Sequence, residues 1–371
     1  MHTEHLLFEL IRTSFGLQQN LSYTPTVEEW QELYDMADKH AILGVCMAGM
    51  ESLDERQRPP QELLLQWIGI SQQIEVRNKT INQQCLTLLA RLKEDGFRGC
   101  ILKGQGNAAM YSKLNAQLGL WRQSGDIDVW VEGGFDRVIK YVQRISPTDE
   151  VNEQHAHFHI FEDTEVEAHF TPSRIANRIK DRLLQKWYVG QQERQMNHEV
   201  PFGDGKLVIP TDDFNLVYQM LHIYRHLFNE GIGLRQLMDY YVLQSVSKLS
   251  EDGVSYVKSN VKLFGMEHFA EALMWVMGYV FTLPHEKMLW EPDEKRGTFL
   301  LSEIMQMGNF GHEDLRYQLR RDDSHLQRYW QTVKGKMRFV KYFPTEAFWQ
   351  PIDIFLRFFE LRKIKRKVKQ I

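Results

Sequence analysis

Apolar side chains recur at helical spacing through the first ~95 residues. Ile74, Ile81, Cys85, Leu88, Leu89 and Leu92 fall three, four and seven apart, which places them on one stripe of a helix. Gly96 follows Lys93-Glu94-Asp95 and can supply the left-handed residue that stops this helix. The pattern then changes. Cys100-Ile101-Leu102 is a short apolar run ending in Lys103-Gly104-Gln105-Gly106, with Asn107 to Tyr111 after it, and reads as strand, glycine turn and helix. Ile127 to Val131 alternates polar and apolar residues as a strand. Gly133-Gly134 then leads into a helix with Phe135, Val138, Ile139, Val142 and Ile145 on one face, which Pro147 ends. Two further strands are expected over His155 to Phe161 and Glu165 to Phe170. From Thr211 the helical period returns, first in the wide stripe Leu216, Val217, Met220, Leu221, Tyr224, Leu227 and Phe228. It continues through 234–247, 254–281 and 297–307. The expected fold class is α+β: a small mixed sheet core (residues 96–205) between an N-terminal helical region (1–95) and a C-terminal helical domain with a basic tail (206–371).

Composition narrows the setting. The chain has 371 residues, 43% hydrophobic and 25% charged, as in an ordinary globular protein with ample material to bury. The formal net charge of −4 gives no global attraction to nucleic acid. The scattered Cys46, Cys85 and Cys100 match neither a zinc spacing nor a disulfide framework. Together with the absence of a signal-peptide pattern or a ~20-residue apolar run, they point to a cytoplasmic protein without stable membrane insertion.

The candidate chemistry lies in Ser124-Gly125-Asp126-Ile127-Asp128-Val129. Strand residues two apart project to one face, ~7 Å apart along the chain, so Asp126 and Asp128 point the same way. Paired carboxylates suit a hard divalent cation, magnesium or manganese. One Asp-x-Asp pair is weak on its own and is often a solvated strand face. Two features strengthen it. A glycine turn opening a helix precedes it, where backbone N–H groups can receive phosphate. Val166-Glu167-Ala168-His169-Phe170 follows, with another acid inside an apolar strand, where an unpaired carboxylate is costly to bury.

Leu102-Lys103-Gly104, Arg122 to Asp128 and Val166 to His169 together resemble the bacterial group called uncharacterised nucleotidyltransferases, in the polymerase-beta-like superfamily. The resemblance covers residues 99–170 and extends more weakly to the stretch holding His222, His226, Arg235 and Asp239. It implies that Asp126 and Asp128 bind both of two metal ions and that Glu167 binds the catalytic one. It also implies that Gly104 and its neighbours Gln105, Ser124 and Gly125 hold an NTP. Two departures stand out: Gly104-Gln105 replaces the usual Gly-Ser, and the gap to the acidic pair is long. The implied activity is transfer of a nucleoside monophosphate to a small-molecule, sugar or protein acceptor. The alternative is a catalytically silent nucleotide-binding or regulatory module.

Other residues carry two readings each. Lys103 and Arg122 could offset phosphate charge or pair with the acidic cluster. His155, His157 and His159 alternate on one strand face. Positions i and i+2 seldom close a tetrahedral metal site unaided, so the expectation is strand histidines with one or two, His157 among them, lining a cleft. His169 shares the face of Glu167 and either orients it or is structural. His222 and His226, at i and i+4, flank Arg225 on one helix side and are expected near the cleft. Arg235 and Asp239 share that spacing and suit a helix-surface ion pair. At the C-terminus, Phe343, Phe348, Trp349, Phe355, Phe358 and Phe359 precede Arg362-Lys363 and Lys365-Arg366-Lys367. Such a segment can meet an anionic membrane or nucleic acid. The preferred reading is a final helix whose aromatics pack on the body.

Overall fold

The computed structural model describes residues 2–309 and 324–371. Helices α1 (His2–Ser14), α2 (Val27–Lys39), α3 (Leu43–Ser52) and α4 (Gln61–Glu94) form the N-terminal part. The mixed region follows, with β1 (Gly99–Ile101), α5 (Gln105–Leu114), α6 (Ala116–Trp121), β2 (Ile127–Val131), α7 (Gly134–Ile145), β3 (His155–His157), β4 (Val166–His169), α8 (Arg178–Met196) and the hairpin β5 (Glu199–Phe202) and β6 (Gly205–Val208). The rest is helical: α9 (Asp212–Asn229), α10 (Leu234–Val246), α11 (Glu251–Phe264), α12 (Glu267–Phe281), α13 (Glu294–Met307), α14 (His325–Lys336) and α15 (Pro344–Val368). The fold is α+β.

The four-stranded sheet has the order β1-β2-β4-β3, with β2 and β4 parallel and both outer pairs antiparallel. One face carries Ile127, Val129, Val166 and Ala168, all buried, as are Val138, Ile139 and Val142 of α7. Burying each of these Ile and Val side chains contributes about 1.5–3 kcal/mol. The other face carries Asp128 and Trp130. The indole of Trp130 stacks at 6.1 Å on Phe214 of α9, which in turn stacks at 4.5 Å on Trp187 of α8. This aromatic column fixes α8 and α9 against the strand that presents Asp128.

The structure differs from the expected elements in a few places. The strand beginning at His155 is short, because the chain turns at His159, where Ile160 N–H donates to Phe158 O. Residues 254–281 are two helices, since Gly265 adopts φ 77° and closes α11. The C-terminal aromatics also depart from the packed reading. Phe343 is buried, but Phe348, Phe355, Phe358 and Phe359 are 45–64% exposed. α15 docks instead through charge: Arg178 lies 2.8 Å from both Asp353 and Glu360, and Arg357 lies 2.6 Å from Glu153. All three cysteines are buried free thiols. Among the described residues, no helix is long and apolar enough to cross a membrane.

Candidate active site

The parallel register sets Asp128 opposite Glu167. Residues paired across adjacent strands share a face, so these two carboxylates converge, with Asp126 two residues earlier on the same side. One carboxylate oxygen from each of Asp126, Asp128 and Glu167 lies within 4.8 Å of the other two. Lys103 leaves the end of β1, where Leu102 N–H donates to Asp128 O, and its Nζ stands 2.7 Å from Asp128 Oδ1. His169 Nε2 lies 2.9 Å from Asp128 Oδ1 and 3.1 Å from Glu167 Oε2. A nitrogen facing two carboxylates must carry a proton.

His155 adds a fourth contact, with Nδ1 2.9 Å from Glu167 Oε2. Its tautomer follows from Asn152, whose Oδ1 accepts the N–H groups of Gln154 and His155. The Asn152 amide nitrogen is therefore the atom 2.7 Å from His155 Nε2 and donates to it. The ring proton then sits on Nδ1, towards Glu167.

The electrostatics are uneven. Burial and the neighbouring Asp128 push the Asp126 carboxyl up to about 6. Burial also opposes ionisation of Asp128, but Lys103 and His169 outweigh it and hold that carboxyl below its usual range. Glu167 is likewise buried, and hydrogen bonds from His155 and His169 lower it. Burial disfavours the His169 imidazolium, yet its bonds to Asp128 and Glu167 raise its pKa overall. Asp126 is thus the acid whose charge the protein compensates least, as befits a position that takes a cation. The donor set is all oxygen, and the separation lets one ion touch all three groups. The residues present fit a divalent metal.

Gly104 makes the turn between β1 and α5 at φ 52° and ψ −109°, a conformation that side chains resist. A Cβ there would also come within 3.2 Å of Asp126 O, so the bare backbone allows the turn to lie against the acidic segment. The cavity these elements enclose measures roughly 370 Å³ and is lined by Lys103, Gly104, Gly125, the three carboxylates, His155 and His169. α9 and α10 add His222, His226, Arg235 and Asp239.

Some expected residues lie elsewhere. The side chain of Gln105 points to α4, where it donates to Asn78 and Asn82, and does not line the cavity. Ser124 accepts from Arg122 Nη1 at 3.0 Å and stands outside the lining too. His157 pairs with Glu150 and Glu165 at the sheet edge, and His155 takes the cavity position. Arg122 lines the cavity, but its guanidinium is taken up by Asp239, at 2.6 Å and 2.7 Å. Asp239 therefore replaces a helix-surface pair with a buried long-range one, while Arg235 donates to Gln123 O. Asn107 joins this group by donating to Asp239 and accepting from Gln219. Sequence reasoning did not single out Asn107, Asn152, Tyr218, Arg225, Glu230 or Arg357, all of which line the cavity.

A family model described as uncharacterised nucleotidyltransferase matches residues 26–282, well over half of the chain. The chain belongs to that nucleotidyltransferase family. No curated protein and no solved structure matches it. The matched span holds the acidic cluster, the Gly104 turn and the α9 and α10 residues of the cavity. Arg357 and the rest of α15 lie outside it. In this member of the family, an acidic group that could hold a metal ion therefore sits within the matched region.

Proposed function

We propose that this nucleotidyltransferase transfers a nucleoside monophosphate from an NTP to an acceptor hydroxyl or phosphate and releases pyrophosphate. The observation that carries the reading is the convergence of Asp126, Asp128 and Glu167 beside the Gly104 turn. These three would hold magnesium or manganese, which supplies charge for an attacking oxygen and a leaving pyrophosphate. The chain's own groups have separable tasks. Lys103 and His169 hold the Asp128 carboxylate, and His155, held by Asn152, holds Glu167. Glu167, which lines the cavity, is the candidate to help deprotonate the acceptor hydroxyl. Gly104 and the start of α5 offer backbone N–H groups to phosphate. The helical region of residues 206–371 selects the acceptor.

Calorimetry with each NTP and magnesium tests this on wild type and on Asp126→Ala/Asp128→Ala. Wild type should bind at least one NTP in a metal-dependent way and the double variant should lose it; equal binding by both removes the proposal's support. The silent nucleotide-binding reading is favoured by one observation, that Gln105 stands where a phosphate-binding hydroxyl is usual and turns to α4. Metal-dependent NTP binding without transfer of α-phosphate label to any component of a cell extract would select it.

A further inference from the structure

The carboxylates form one part of the cavity wall, and α9 forms another. His222, Arg225 and His226 stand at i, i+3 and i+4, so one helix face presents all three, and each lines the cavity. The other cavity cations are engaged. Lys103 pairs with Asp128, Arg122 with Asp239 and Arg357 with Glu153, while Arg235 donates to Gln123 O. His226 Nδ1 lies 2.9 Å from Glu230. His222 and Arg225 differ. His222 is 8% exposed, and neither of its ring nitrogens has a hydrogen-bond partner among the described residues. Its ring stands edge-on to that of His226, with centroids 4.4 Å apart. Arg225 is half-buried and makes no ion pair or hydrogen bond among the described residues.

A guanidinium presents five N–H donors and an imidazole at least one polar nitrogen, and on this wall both face a cavity from which a ligand can meet them. The surroundings sharpen the point. Burial, then Lys103, His226, Arg225 and Arg235, press the His222 pKa well below its ordinary value, so the ring is neutral in a positive field. Glu230, at the outer end of the wall, is committed to His226. No protein oxygen bonds the Arg225 fork or the His222 ring among the described residues, and a ligand anion with several acceptor oxygens would meet both together.

We propose that His222 and Arg225 form a subsite for a phosphate group, in the same cavity as the carboxylate cluster. The subsite deepens the transferase reading and rests on it for the identity of the molecule bearing the phosphate, either the polyphosphate tail of the nucleotide or a phosphorylated acceptor. Its charge offsets the repulsion that Asp126, Asp128 and Glu167 would exert on an incoming phosphate.

The test titrates inorganic phosphate, inorganic pyrophosphate and each magnesium–NTP into wild type, His222→Asn, Arg225→Gln and Arg225→Lys, with thermal melts to verify folding. Phosphate and pyrophosphate should bind wild type, and each of the first two variants should weaken them at least about tenfold, the loss of one charge-assisted contact. Arg225→Lys, which keeps the charge and loses the fork, should fall between. If magnesium–NTP binding weakens in parallel, the subsite takes the nucleotide's tail. If it is unchanged while phosphate binding falls, the subsite takes the acceptor's phosphate. Unchanged phosphate affinity in both variants, or no phosphate binding by wild type, overturns the proposal. The wild type gives an independent readout, because phosphate should shift the ring ¹⁵N resonances of His222, and unshifted resonances overturn it without any variant. Wild type that binds phosphate but no magnesium–NTP would instead defeat the transferase reading and leave the subsite standing.

Discussion

Arg122 lays its guanidinium against both carboxylate oxygens of Asp239, at 2.6 Å and 2.7 Å, across 117 residues of chain. Both side chains are nearly inaccessible, at 5% and 6% exposure. The pair ties the segment entering β2 to α10 and so holds the acidic motif against the helical half of the cavity. Buried ion pairs are asymmetric: losing one partner strands a charge, at about 3–5 kcal/mol, whereas replacing both with apolar residues is often neutral. Asp239→Ala should therefore lower stability by about that much in urea denaturation. Arg122→Met combined with Asp239→Leu should recover most of it. A single-variant cost below about 1 kcal/mol would show that the guanidinium finds water or another anion.

Asp126 illustrates a site in which stability and chemistry conflict. Its carboxyl lies at about 6 in the folded protein, above the ordinary Asp value of 3.8. A raised carboxyl contributes stability that is fully present below the unfolded value and is lost as pH rises through the folded one. Between pH 4 and pH 7 the metal-free protein therefore loses stability as Asp126 ionises. Asp126→Asn should melt higher than wild type by about a few degrees at pH 7.5 with chelator present. That advantage should disappear near pH 4, and magnesium should raise the melting temperature of wild type alone. A variant that melts lower than wild type at pH 7.5 in chelator would mean that the ionised carboxylate is satisfied without a cation.

Legibility in the sequence followed the range of the forces involved. Ile127–Val131 and Val166–His169 were readable because strand alternation is local, and the glycine turn at Gly104 is local as well. The converging acids followed, since their faces are fixed by a period of two. Register and side-chain direction are not local: the β3–β4 pairing sets His157 opposite Glu167 and His155 opposite His169, yet the His155 ring reaches Glu167 while His157 turns to Glu150 and Glu165. Gln105 was misplaced because its direction is set by Asn78 and Asn82, more than twenty residues earlier on α4. The hairpin β5–β6 carried a turn signal in Gly203-Asp204-Gly205, but its short, exposed strands have little apolar alternation. Arg357 reaches the cavity from a helix whose aromatics suggested burial, and no nearby pattern announces that it docks by charge.

Gly104→Ala probes the turn. The position combines a positive φ with a carbonyl 3.2 Å from where Cβ would stand, and the carbonyl belongs to Asp126. Relieving the contact must either shift the Asp126 backbone or move the start of α5. The expected cost is about 1–3 kcal/mol of stability. Magnesium and NTP affinity should fall further than in a control such as Gly96→Ala, which bears a similar φ but has open space around it. Equal losses of affinity in the two variants would deny the turn any special relation to the acidic cluster.

The last prediction concerns how α15 is held. Arg178 bonds both Asp353 and Glu360 at 2.8 Å, and Arg357, which lines the cavity, lies one turn from Asp353 and pairs with Glu153 at 2.6 Å. Because the aromatics of α15 remain largely exposed, with Ala347, Ile364 and Val368 supplying its apolar contacts to the core, these charges are expected to carry much of the attachment. Arg178 is only 18% exposed, so its loss leaves two carboxylates partly desolvated on α15 with Arg357 and Arg174 as remaining partners. Arg178→Ala should speed amide hydrogen exchange selectively across 344–368, by about tenfold or more for a charge-assisted contact, and leave α9 protection unchanged. High salt should act in the same direction on wild type, but more weakly, since screening is less effective for partly buried pairs. If exchange in α15 proves insensitive to Arg178 but rises on substituting Phe343, whose ring is buried against Phe228 at 5.5 Å, then apolar anchoring at the first turn and not the charged latch holds the helix.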